Sequence, residues 1–506
     1  MLFDLIFQWP VALATIAGAV GYYVFSTWTA RKRLPPGPWP FPIVGNMPHV
    51  AMAASGKPTQ EKLIALAKKY GDPMTLWFGK QVSILCSSKE TIREILINQQ
   101  NVFCSRQESI VMDIMFRGSS DIAMAKFGPA WKIHRKLAGR AIRNIVNATK
   151  LEDQVQEAAE FAEKSILAVN GPVNIHDYVV NAIFNVICAF GYGKMYDVDD
   201  PEFRRLQFIN KRLNEIGVQA MLLDFVPTAK YWPLKQMFST VRETADLADE
   251  MLAVLQREIK EHQGAYVEGS TKDFVDAMLT EQKELRRQGD SDVDLDELHF
   301  AWIIGDFFSA GTDTTSTTLT WFFLFMVEYP EIQETCYQQI SEAIGSTPPK
   351  LADRLKIPAI DACFSEILRL RGPAPLGLPH TNITTANMGD YSIPPNTMAM
   401  CNVYAMHTDK AGDFGPKAEE FRPFENFLEK DGKTPRKQLA FLPFGGGKRV
   451  CLGEQLAKND MFLMATSLLQ RFRFSKVPGE AYSLEPDPKY DGVVYPQAFK
   501  VMAEKR

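Results

Sequence analysis

The sequence predicts a mainly α-helical fold with small β-sheets, an α+β chain preceded by one N-terminal transmembrane helix. Three observations carry that reading: apolar residues recur at helical spacing over most of the chain, β-prone runs are confined to two patches, and Leu5 to Trp28 contains no charged residue. The 506 residues are 46% hydrophobic and 23% charged, ordinary globular usage that argues against disorder. A net charge of −4 gives no reason to expect nucleic acid as a partner.

At 1.5 Å per residue, Leu5 to Trp28 spans about 36 Å as a helix, enough to cross a bilayer. Arg31, Lys32 and Arg33 follow at once, and positive charge behind the span predicts that the rest of the chain stays on the cytoplasmic side. Residues 1–33 therefore read as a retained anchor with a basic stop. The apolar run is long, and no charged n-region precedes it as in a cleaved signal. Residues 34–40, Leu-Pro-Pro-Gly-Pro-Trp-Pro, cannot be helical, and fixed proline φ makes them a stiff hinge. Residues 41–506 show no repeat, low-complexity tract or long linker, so a single domain is expected.

Within that domain, Met74 to Phe78 and Val82 to Leu85 flank Gly79-Lys80 and predict a hairpin. Helices are expected over 150–168, 240–262, 296–328, 330–344, 358–370 and 454–472. A second strand-rich patch runs from Leu376 to Met400. Residues 407–440 read as irregular, and that length favours a functional or partner-covering role over a linker.

Seven cysteines, Cys86, Cys104, Cys188, Cys336, Cys363, Cys401 and Cys451, are scattered without a CxxC, which reads as reduced thiols in a cytosol-facing protein. Six fit the default of a small buried hydrophobe. Cys451 does not, because Phe444 to Gly453 fits FxxGxRxCxG at all five fixed identities. Chance would produce this in roughly one chain in ten thousand at average residue frequencies. A thiolate on haem iron favours breaking the O–O bond of bound oxygen, and it needs backbone N–H donors around it. Glycines let a loop fold tightly round such a sulfur, and a helix starting near Gly453 turns its positive end toward it. A phosphate-cradling loop is the rival reading of Gly445 to Lys448, but Arg449 stands where that motif needs Ser or Thr.

On this motif the chain resembles the cytochrome P-450 superfamily, and within it the animal microsomal group. The resemblance implies heme b with Cys451 as axial ligand of the iron, Arg449 at a propionate and Phe444 against the porphyrin. Ala310 to Thr315 matches the family's oxygen-activation motif. Gly311 and clustered threonines are costly in a helix, so this one is read as opening a groove for a diatomic ligand. By resemblance Thr314 would hydrogen-bond the oxygen and Asp313 would relay protons to it. Glu366 and Arg369 match the family's ExxR pair. That spacing also occurs at Glu90/Arg93, Glu202/Arg205, Glu284/Arg287 and Glu419/Arg422, so order along the chain singles it out. Its implied role is a buried structural network, whose usual third member, an arginine, is Asn426 here. Trp131 and Arg135 share a helix face and match the WxxxR pair that binds a propionate, and His380 resembles a histidine that contacts one.

The resemblance further implies a monooxygenase in the endoplasmic reticulum membrane with its catalytic domain cytoplasmic. No flavin or nicotinamide fingerprint is present, so electrons would come from an NADPH-cytochrome reductase, with cytochrome b5 a possible second donor. Lys126, Lys132, Lys136 and Arg140 on the Trp131 helix, with Lys448 and Lys458, would form the docking patch. The segments the family places over substrate, Ser105–Met124, Phe208–Pro227, Trp302–Ala310, Ala374–Leu378 and Val493–Tyr495, are largely apolar and predict a lipophilic small molecule, whether steroid, fatty acid, terpenoid or xenobiotic. The alternative is a haem-thiolate isomerase or dehydratase that needs no external electrons. The Asp313-Thr314 pair argues against it.

Overall fold

A computed structural model describes residues 2–118, 121–146, 150–226, 231, 233–289, 296–490 and 492–506. Its longer helices are α1 (Leu2–Arg31), α2 (Thr59–Tyr70), α3 (Pro129–Val146), α4 (Lys150–Leu167), α5 (Ile175–Tyr192), α6 (Pro201–Ala220), α7 (Ser239–Ala265), α8 (Phe274–Arg287), α9 (Glu297–Glu328), α10 (Pro330–Ile344), α11 (Pro358–Arg371) and α12 (Glu454–Arg471). Local chemistry starts several of them. The Asp296 side chain caps α9 by accepting from His299 N at 2.7 Å, and proline occupies the first turn of α10 and α11. Every helix expected from periodicity is present to within a few residues.

The centre of the molecule is α9, packed against α5, α7, α11 and α12. Its C-terminal half, from Thr315 to Val327, is buried on all sides. The partner helix α5 is likewise buried along nearly its whole second half. A helix covered all round has no polar stripe, so periodicity gave no sign of α5.

Among the described residues, eight strands make three small sheets. β1 (Met74–Phe78) and β2 (Gln81–Cys86) form the expected hairpin, β6 (Met398–Cys401) runs parallel to β2, and β3 (His380–Thr381) pairs antiparallel with β6. β4 (Ala386–Met388) pairs with β5 (Tyr391–Ile393), and β7 (Phe472–Lys476) with β8 (Val501–Lys505). Phe472, expected to end a helix, instead opens β7.

The proline segment lies along β1. Thr75 donates from N to Pro36 O and from Oγ1 to Pro35 O, both at 2.8 Å, and the Arg31 guanidinium clasps Gly37 O at 2.7 Å and Pro38 O at 3.0 Å. A Cβ on Gly37 would fall 2.0 Å from Thr75 O, so only glycine lets the strap lie this close. Helix α1 is continuous, yet among the described residues no helix is long and apolar enough to cross a membrane. Side chains before residue 14, about the first third of the expected span, lie outside the description.

Candidate active site

The cysteine loop connects a turn at Leu442–Gly445 to the start of α12. Gly445 and Gly447 take left-handed backbone angles, φ +75° and +64°. A Cβ on Gly447 would sit 2.1 Å from Leu96 O, so the loop is wedged against residues 94–98 and admits no side chain there. Cys451 N donates to Phe444 O at 2.9 Å and closes the loop. Of the seven cysteines, Cys451 alone is exposed; the other six are buried. Protein still surrounds it closely, and desolvation pushes its thiol pKa up. Backbone N–H donors from Gly453 and Glu454 and the charge of Arg135 pull the other way. A sulfur given two N–H donors and a guanidinium is equipped to carry negative charge toward a metal.

Next to this loop lies a fully buried ion pair. Arg369 meets Glu366 through two bonds of 2.7 Å, both side chains at 0% exposure. The remaining Arg369 donors reach the carbonyls of His407, Ala418 and Glu420. Glu366 Oε1 also accepts from Arg422 N and Asn426 Nδ2, each at 2.8 Å. Asn426, the departure from the family pattern, thus reaches the carboxylate with its amide. His407 extends the network. Burial and the Arg369 charge hold its pKa down at about 3, so it is neutral, donating from Nδ1 to Arg369 O and accepting at Nε2 from Leu442 N. It ties the ion pair to the residue that begins the cysteine loop. A lone histidine inside an irregular stretch gives no such signal in sequence.

A third group is cationic. Arg449 donates to the carbonyls of Cys104 (2.7 Å), Ile122 (3.2 Å) and Ala125 (2.7 Å), and its guanidinium lies 4.0 Å from the Trp131 ring centroid. Trp131 Nε1 donates to Ile122 O at 3.0 Å, and Arg135 donates to Val450 O. Arg106, which sequence reasoning passed over, binds the carbonyls of Ala123, Leu378 and Pro379. Desolvation, joined by mutual repulsion, lowers the pKa of Arg449 to about 9 and of Arg106 to about 10. His380 is buried with Nδ1 2.8 Å from Phe103 O, and burial and neighbouring charge bring it down to about 3. Three guanidiniums, of Arg106, Arg135 and Arg449, thus gather beside an exposed cysteine, and the Asp121 carboxyl balances them only in part. Two propionates of a haem match the remaining charge, so these residues fit the group.

The fourth group lines α9. The helix runs unbroken through Ala310 to Thr315. Three of its threonine hydroxyls return to their own helix: Thr312 Oγ1 donates to Phe308 O at 3.0 Å, Thr314 Oγ1 to Ala310 O at 2.7 Å, and Thr318 Oγ1 to Thr314 O at 2.8 Å. Gly311 serves packing, since a Cβ there would lie 2.9 Å from Ile187 Cδ1 on α5. Asp313 accepts from the hydroxyl of Tyr495, and burial raises its pKa. Two turns earlier, Asp306 Oδ2 accepts from Ile122 N (2.7 Å) and Ala123 N (3.3 Å), fastening the loop that carries Asp121.

Of the substrate-facing segments, residues 119, 120 and 227 and the side chains of 217–222 lie outside the described residues. Elsewhere Phe116 packs edge-on against buried Trp302, centroids 4.8 Å apart, and Ser309 Oγ lies 3.0 Å from Asn214 Oδ1. In the basic patch, Lys126 precedes α3 and pairs with Glu108, while Arg140 and Lys458 face Glu281 and Glu454. Lys132 and Lys136 are exposed, four residues apart on α3.

A family model described as Cytochrome P450 matches residues 35–501. A human protein, cytochrome P450 2U1, is 30% identical over 95% of this chain and 91% of its own length. A steroid 17-alpha-hydroxylase/17,20 lyase from Gallus gallus is 31% identical over 95% of this chain and 93% of its own. The solved structure of a zebrafish cytochrome P450 with progesterone aligns at TM-score 0.78 and 28% identity, covering 88% of this chain and 100% of that one.

Proposed function

The chain belongs to the cytochrome P450 family, and on that premise we propose that it is a haem-thiolate monooxygenase that inserts one atom of molecular oxygen into a lipophilic substrate, with steroids the first class to test. The observation that carries this reading is the single exposed cysteine, Cys451, closed into a glycine loop with two N–H donors and a guanidinium beside it. The steroid choice is supported by relatives named for steroid hydroxylation and by a similar structure with progesterone. When bound, haem would supply the reduction and cleavage of dioxygen, favoured by thiolate donation.

The chain's residues supply the rest. Cys451 would bind the haem iron through its sulfur, and Arg106, Arg135, Arg449, Trp131 and His380 would hold the two propionates. With Nδ1–H committed to Phe103 O, His380 offers Nε2 to a propionate only by taking up a proton. Phe444 would pack against the porphyrin. Thr314 has its hydroxyl proton committed to Ala310 O, so its oxygen is left as an acceptor that orients water. Asp313, whose burial favours the protonated form, is the proton donor. Electrons arrive from an NADPH-cytochrome reductase, with cytochrome b5 as a second donor, at the surface around Lys132 and Lys136. The helix Leu2–Arg31 anchors the chain in the endoplasmic reticulum membrane.

The test is the absorption spectrum of the reduced, CO-bound protein, followed by a screen of steroids and fatty acids with reductase and NADPH. Expected are a thiolate-type band that Cys451→Ser removes and an oxygenated product that requires the reductase. A colourless protein, or a band indifferent to Cys451→Ser, overturns the reading. Turnover with a hydroperoxide alone replaces it with the isomerase class.

A further inference from the structure

Tyr495 and Asp313 lie 182 residues apart in sequence, yet the phenol hydroxyl donates to Oδ2 of the carboxyl. The segment that brings Tyr495 there is pinned on both sides of the ring. Trp321 Nε1, on the same helix as Asp313, donates to Val494 O at 2.8 Å, and Asp487 N donates to Tyr495 O at 2.8 Å. The Tyr490 ring backs the Tyr495 ring at 4.7 Å between centroids. Sequence placed 493–495 among substrate contacts; the structure spends this hydroxyl on a carboxyl instead.

We propose that Tyr495 is a positioning residue for Asp313, holding its carboxyl through Oδ2 so that Oδ1 delivers the proton toward Thr314. This rests on the reading of Asp313 as proton donor. The step balances as a proton transfer alone. Asp313 loses its Oδ1 proton to water beside Thr314 and becomes a carboxylate, and the Tyr495 O–H bond, unbroken, steadies the new charge. A proton from solvent then restores the acid. Burial pushes the Tyr495 hydroxyl far above its ordinary range, so it remains a donor and never acts as a base. The other groups that face the pair are Lys211 and Glu215 of α6 and Tyr490; the lysine charge favours the carboxylate and the glutamate opposes it. Removing the phenol removes a hydrogen bond that favours ionisation, so Asp313 would titrate at higher pH.

The experiment compares wild type, Tyr495→Phe and Asp313→Asn in the full-length, haem-loaded protein. The protonated-carboxyl infrared band of Asp313 is identified by its loss in Asp313→Asn. In Tyr495→Phe that band should persist to higher pH, while product formed per NADPH consumed falls about tenfold, a fraction of what a general acid contributes. Substrate affinity, read from the spectral shift on binding, should stay within about twofold, since Tyr495 acts through the acid rather than on the substrate. Should the phenylalanine variant fail to load haem, 3-fluorotyrosine at 495 keeps the ring and strengthens the donor, and the band should vanish at lower pH. An Asp313 band that ignores both changes at position 495 overturns the proposal. Normal coupling in Asp313→Asn would instead defeat the reading of Asp313 itself, whatever Tyr495 does.

Discussion

Two buried polar regions in this molecule are built on opposite rules. Beside the cysteine loop, Glu366, Arg369, Asn426 and His407 match donor to acceptor, and the lone cationic side chain faces a carboxylate. Along α9 and the loop fastened to it, Asp121, Asp306 and Asp313 take hydrogen bonds from backbone or hydroxyl donors only, and burial raises all three pKa values, although the charges of Arg449 and Arg106 pull Asp121 the other way. Asp121 Oδ2 finds no hydrogen-bond partner among the described residues. The lesson is that charge balance separates scaffold from proton handling. A paired network has no reason to exchange protons, whereas an excess of buried acid must hold them.

The sharpest way to break this contrast is Arg369→Ala, which leaves Glu366 buried without its cation. It should cost about 3–5 kcal/mol and abolish haem retention, read by chemical denaturation and the Soret band. Stability indifferent to that change would mean the ion pair is no scaffold.

The α9 side should respond to pH instead. Asp121 has a folded pKa of about 6 against an ordinary 3.8, so its stabilising contribution is complete below pH 3.8 and is lost as the pH rises through 6. Because Asp121 repels Asp306 beside it, the two titrate together, and the full-length protein should lose stability across that window, on the order of 1–3 kcal/mol at about 1.4 kcal/mol per unit, measured by urea midpoints. Asp121→Asn should flatten the slope; an unchanged slope would place the excess protons elsewhere.

The smallest effect sharpens the comparison by lying outside both regions. Reversing Lys132 and Lys136 to glutamate should slow reduction by the NADPH-cytochrome reductase several-fold at low salt and leave the haem spectrum intact, seen by stopped-flow. Equal rates would move the docking surface away from α3.

What was legible in sequence follows the same division. Cys451 and its glycines were visible because loop, ligand and helix start are contiguous in the chain, and α4, α7, α10 and α11 because one face meets water, whereas α2, α6 and α8, also two-faced, were not expected. His407, Arg106, Asp306 and the bond from Tyr495 to Asp313 were not visible, since each acts on a partner far away in sequence and its own neighbours carry no pattern. The ExxR pair stood between, a common spacing that only its order along the chain made meaningful. Helix α5 and strands β7 and β8 escaped for other reasons, the first buried nearly all round along its second half and the others short and far apart.

The strap of prolines along β1 has a mechanical meaning. Arg31 and Thr75 grip its free carbonyls from both ends, and β1 leads through β2 and β6 to β3, which carries His380. Tension applied at the first helix would therefore be borne by the sheet rather than by a slack tether. Anyone trimming the N-terminus to obtain a shorter protein should cut ahead of residue 31, because losing that guanidinium unbuckles the strap.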